Sequence, residues 1–214
     1  MATPAQLVNV ISDVTGTPLA TITDIDRRLI KVGLRTKHGR GFNAARMTAL
    51  DAARILVALL ASPQVTQSVD AVTRYAATQA DSTRSSDGLF VASMLDDLAA
   101  LPARHSFVEG IAALVASATN GSLAKLTTPD NNCTPRVEVF AFTRATYGRI
   151  RIADLPNGQT VNVEYIPSRN DTKAKRAKDA PKPAKAGVTG DLEQSRRITE
   201  RTILSIAALL AEES

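Results

Sequence analysis

The chain has a single cysteine, Cys133, among 214 residues. One thiol closes no intrachain disulfide and supplies no cysteine-based zinc site. Histidine is nearly as scarce, with only His38 and His105, so a His-rich metal centre is not expected. No apolar run approaches the roughly 20 residues that span a bilayer. The N-terminal MATPAQLV lacks the basic-then-apolar order of a secretory leader. These absences set the expectation of a reducing, cytoplasmic setting with no membrane partner, metal or cofactor. Catalytic signatures are lacking too. No Ser/His/Asp order stands out. Gly39-Arg40-Gly41 lacks the Lys-Ser/Thr that completes a nucleotide-binding P-loop. Asp96 and Asp97 are adjacent on a helix, where side chains diverge by about 100° and do not converge on one proton or metal. An enzyme is therefore not expected.

What is present is ordinary in amount and uneven in placement. Hydrophobic residues make up 44% and charged residues 22%, both usual for a globular protein. The net charge is +5. Residues 1–62 carry eight Lys/Arg against four acids, and residues 169–190 carry seven against two. Residues 63–134 are the acidic counterpart, with four against seven. Positive charge gathered in two segments points to a polyanion, because each phosphate neutralised releases counterions. The densest run is 27–46, RRLIKVGLRTKHGRGFNAAR, with seven Lys/Arg and no acid.

Start and stop signals divide the N-terminal region into helices. Thr3-Pro4-Ala5-Gln6 is a capping box with Pro at the first helical position, and Leu7, Val8, Ile11 and Val14 follow at helical spacing up to Gly16. Thr17-Pro18 repeats the start. Leu19, Ile22, Ile25 and Leu29 form a second stripe that ends at Gly33. The basic stretch around Lys37-His38-Gly39-Arg40-Gly41 is too rich in glycine for a helix and reads as a small hairpin, or wing. Thr48 with Asp51 starts a third helix over 49–61, with Leu50, Ala53, Leu56, Val57 and Leu60 as its buried stripe.

Farther on, Val65, Val69, Val72 and Ala76 share a helical stripe, and Thr78–Asp87 reads as a polar loop. Residues Leu89 to Leu101 predict another helix, stopped by Pro102, and Ser106 with Glu109 begins the next. At Arg136 the period switches to two. Alternation through Val137–Phe142, Arg149–Ile152 and Val161–Tyr165, with the turn Pro156-Asn157-Gly158, predicts a three-stranded antiparallel meander over 136–166. Residues 169–190 contain almost no large apolar residue and read as a basic flexible linker. Asp191 with Gln194 then predicts a last helix over 191–212, whose apolar stripe needs its own domain, a second copy or another protein to pack on.

The expected fold is mainly α with a small antiparallel sheet, an α+β chain. A DNA-binding unit at 1–62 precedes a helical and β assembly unit at 65–168. The order of helix, turn, helix, basic Gly-kinked turn and Thr-capped helix in residues 1–62 resembles the MerR-like winged helix-turn-helix domain. It differs in ending the wing as Asn43-Ala44-Ala45-Arg46-Met47, without the aromatic residue usual in that family. The resemblance implies that Thr17–Gly33 enters a major groove, that Lys37–Asn43 grips flanking backbone or minor groove, and that Met47–Ala61 supports them. The expected contacts to duplex DNA are Thr21, Thr23, Arg27, Arg28, Lys31, Arg35, Lys37, His38, Arg40 and Arg46. Arg149 and Arg151 share one strand face. They offer either a second phosphate contact or protection of a sheet edge.

The leading expectation is a sequence-specific transcriptional regulator acting as a dimer or higher homo-oligomer. One alternative is a DNA-packaging subunit, since the order of parts loosely resembles a phage small terminase subunit. A second is a non-enzymatic interaction module with a basic surface.

Overall fold

A computed structural model describes residues 2–36, 46–85, 93–128, 134–143, 145–156, 158–168 and 194–211. Thr3 and Gln6 close a reciprocal capping box at the head of α1 (Pro4–Thr15). Gly16 ends that helix in the left-handed conformation, at φ 66°. α2 (Leu19–Lys31) begins differently from expectation. Its N-cap is Pro18, with no side-chain cap, and the backbone N–H of Thr17 instead donates to Thr15 Oγ1 at 3.4 Å. Its end is a Schellman turn. Gly33, at φ 75°, donates to the Ile30 carbonyl, and Leu34 donates to that of Leu29.

Thr48 and Asp51 form the capping box of α3 (Ala49–Ala61). A 3-10 turn, Val65–Gln67, leads into α4 (Ser68–Ala76). The expected polar loop after it is instead a short strand, β1 (Thr78–Ala80). The helix expected over Leu89 to Leu101 is, among the described residues, one turn, α5 (Asp96–Ala99). Met94 sits just before it at φ 59°, a conformation that a helix cannot contain. The Ser106–Glu109 box opens α6 (Phe107–Thr119), and α7 (Ser122–Thr127) follows Gly121.

The sheet has five strands, not three. β2 (Arg136–Phe142), β3 (Gly148–Ala153) and β4 (Val161–Pro167) pair in sequence. β1 adds antiparallel to β4, and β5 (Ser195–Thr199) adds antiparallel to β2, so the order is β1-β4-β3-β2-β5. β5 occupies residues where a capping box had suggested a helix. The open edge of β2 decides this: pairing from Phe142↔Ser195 to Glu138↔Thr199 satisfies its backbone. The last helix, α8 (Glu200–Ala211), starts where that pairing stops. The Val137 N–H donates to the Glu200 carboxylate at 3.0 Å, which joins strand edge to helix start.

One hydrophobic cluster runs from Ala2 to Leu210. α3 packs on α4 and α6, and α8 packs on α1 and α6. Residues on both sides of position 63 contribute to this cluster. The apolar stripe of α8 (Ile203, Ile206, Ala207, Leu210) is buried within its own chain. Leu19 and Leu50, expected in stripes, are exposed at 48% and 37%, while Ala52 and Ile55 are fully buried. Val137, Val139, Ile150, Ile152, Val163 and Tyr165 turn the inner face of the sheet to the helices.

Candidate nucleic-acid interface

The period of 3.6 sorts α2 into two faces. Ile22, Ile25 and Leu29 are buried, and Asp26 lies among them at the same helical phase. Thr23, Arg27 and Lys31 follow at four-residue spacing on the opposite side, with Arg27 and Lys31 exposed. Among the described residues neither cation has an ion pair or a side-chain hydrogen bond. Thr23 Oγ1 donates back to the Leu19 carbonyl at 2.8 Å.

Two expected contacts flank this row. Arg28 is tied to Asp24 one turn earlier, at 3.1 Å. Thr21 lines a groove of about 600 Å³ between α2, the C-terminal end of α3 and β5. Arg46 is exposed and borders a different groove, of about 410 Å³, together with Asp97 and Asn120. Lys37, His38 and Arg40, and with them the wing expected over Lys37–Asn43, lie outside the described residues, as does Cys133.

Arg35 corrects an expectation. Its residue exposure is 2%, and its guanidinium forms an ion pair with the buried Asp26. It belongs to the core and is not available to a phosphate. The helical phase held the missed signal: a carboxylate on the Ile22/Leu29 stripe needs a cation, and Arg35 follows the turn that carries the chain back over that stripe. Burial pushes the Arg35 guanidinium below its ordinary value, while the charges of Asp26 and Asp51 oppose the shift.

Asp51 and Arg54 were also missed as positioning groups. Thr36 donates its backbone N–H to Asp51 Oδ1 at 3.0 Å, and Thr48 donates its own to Oδ2 at 3.1 Å. One carboxylate thus joins the chain after α2 to the head of α3. Burial acts to raise the pKa of Asp51, but the hydrogen bonds from Thr36 and Thr48 outweigh it and hold it below its ordinary value. Arg54 donates to the Leu34 carbonyl at 2.7 Å, and buried Met47 donates to that of Ala2 at 3.2 Å. Thr36 and Met47, on either side of the basic stretch 37–45, are thus both held by hydrogen bonds.

A second set of cations lies on the outer face of the sheet. Arg149 and Arg151 project from β3, and Arg197 projects from β5. β3 lies between β2 and β4, so the edge-protection reading of its arginines does not apply. Glu138 bridges Arg151 at 3.4 Å and Arg197 at 2.6 Å.

Among the described residues no group of three His, Cys, Asp or Glu side chains is arranged to hold a metal. Nor is any helix there long and apolar enough to cross a membrane. Comparison of the chain with protein-family models, with curated proteins and with solved structures finds no match.

Proposed function

We propose that residues 1–62 bind duplex DNA in the manner of a winged helix-turn-helix and that the protein acts as a transcriptional regulator. The observation that carries this reading is the outward row Thr23, Arg27, Lys31 on a helix whose other side is locked into the core. Two uncommitted cations one turn apart are suited to successive phosphates or a guanine edge. The anchored ends of the basic stretch 37–45 support it as well. Fixed flanks on either side of Lys37 and Arg40 lower the ordering entropy that binding has to overcome.

The test is fluorescence anisotropy of a labelled duplex of about 25 base pairs, long enough for two half-sites one helical turn apart, titrated across a range of salt. The double variant Arg27→Ala/Lys31→Ala is expected to weaken binding uniformly and to reduce the log–log salt slope by about 1 to 2. Unchanged affinity and slope would remove α2 from the interface. A solution mass measurement separates the roles: a dimer fits a regulator, and a closed ring of many copies fits a packaging subunit.

A further inference from the structure

The outer face of the sheet carries more than charge. Phe140 and Phe142 on β2 point to the same side as Arg149 and Arg197, because Phe140 pairs with Arg149 on one flank and with Arg197 on the other. The Arg149 guanidinium lies over the Phe140 ring, 4.8 Å from its centroid, and that of Arg197 is 6.0 Å away. Phe142 meets Tyr147 edge-on, with centroids 5.0 Å apart. All three aromatic side chains are only half-buried, whereas Tyr75 and Tyr165 are fully buried.

Cross-strand pairs of this kind also stabilise a sheet, but the electrostatics exceed that role. Glu138 is shared by two arginines, Arg151 and Arg197. Burial and a hydrogen bond to Glu164 push the Tyr147 phenol up to about 12, so it stays neutral. Arg149 Nε makes no hydrogen bond among the described residues. Because that Nε is itself buried, what the face presents is flat rings and flat guanidinium planes. By sequence, the chain joining β4 to β5 adds seven Lys/Arg against two acids over 169–190.

We infer that this outer sheet face binds single-stranded nucleic acid, with bases stacked on the rings and guanidinium planes around Phe140, Phe142 and Arg149 and phosphates held by Arg151 and Arg197. Five strands at about 4.8 Å spacing make a face roughly 19 Å wide, room for a few unstacked nucleotides. Duplex DNA hides the flat sides of its bases, so it cannot use rings in this way. The site is separate from the outward face of α2 and stands or falls independently of it.

The full chain is titrated with labelled oligo(dT) and oligo(rU) of about a dozen nucleotides, near the upper end of known single-strand site sizes. The chain contains no tryptophan, and Tyr147 is its one tyrosine that is not fully buried. Stacking is therefore expected to quench intrinsic tyrosine fluorescence as the oligomer binds. The variant Arg149→Gln/Arg197→Gln is expected to lose about tenfold or more in single-strand affinity while duplex binding is retained. Arg149→Lys keeps the charge, lacks the plane and serves if the double variant misfolds. It is expected to weaken binding and reduce the quench while the salt slope stays put. Binding of either oligomer with equal loss in the variants supports the proposal. It is overturned if neither oligomer binds, if Arg149→Lys binds as wild type, or if the affinity lost is only that of the Arg27→Ala/Lys31→Ala variant.

Discussion

Two arginines eight residues apart have opposite fates. Arg27 stands in solvent, while Arg35 is buried against Asp26. Removing one partner of a buried pair strands the other charge, which costs about 3–5 kcal/mol. Arg35→Ala is therefore expected to lower the unfolding free energy by that order, measured by urea denaturation. Arg27→Ala is expected to change it by no more than about 0.5 kcal/mol, as for most surface substitutions. If the two variants melt alike, the burial of Arg35 does not hold in solution. A count of Lys/Arg along the chain cannot separate them, because the count has no term for helical phase. Asp26, at the phase of the buried stripe, was the readable clue.

At the scale of elements, the helices that carry their own capping boxes were legible. Thr3/Gln6, Thr48/Asp51 and Ser106/Glu109 each form in the structure as the sequence suggested. Strands β1 and β5 were not legible, because Thr-Gln-Ala and Ser-Arg-Arg-Ile-Thr have no apolar alternation of their own. They exist because β4 and β2 offer unpaired edges, a condition set by residues far away in sequence. The junction of α6 with the sheet shows the same dependence. Gly110 lies where a Cβ would overlap the Tyr165 hydroxyl on β4 and touch Ile150 at 3.0 Å. Gly110→Ala is expected to cost about 1–3 kcal/mol by overpacking, although alanine is the better helix former. A thermal melt distinguishes the two effects by sign: a raised midpoint would mean that this contact is looser than described.

For the whole molecule, the hydrophobic cluster from Ala2 to Leu210 ties the N-terminal helices, the sheet and α8 together, so a local change in charge is read out as global stability. His105 is buried between the Pro102 carbonyl, 2.7 Å from Nδ1, and the Tyr165 hydroxyl, 2.8 Å from Nε2. A neutral ring that donates from Nδ1 and accepts at Nε2 satisfies both contacts. Burial pushes the imidazole below its ordinary value, against the opposing Pro102 and Glu109 contributions. The unfolded chain then binds the proton more readily than the folded one. Stability contributed by this site is complete above the ordinary histidine range, near pH 6.5, and is lost as pH falls from there through the depressed folded value. Unfolding free energy measured from pH 7.5 down to 5 is expected to decline, and His105→Gln is expected to flatten that decline. A variant that keeps the full pH dependence would place its origin in other groups.

The sequence by itself determined the α+β class, the capped helices, the alternating segments 137–142, 149–152 and 161–165, and the two concentrations of positive charge. Each of these is written in neighbouring residues, as a cap, a period or a local charge sum. Tertiary structure decided which of those charges face solvent, that two polar segments become edge strands, and that α8 returns to its own core. It also decided that Phe140 and Phe142 of β2, Arg149 and Arg151 of β3 and Arg197 of β5 share one outer face. Those outcomes depend on which distant backbones and side chains meet, and burial and strand register are properties of the meeting rather than of either segment alone.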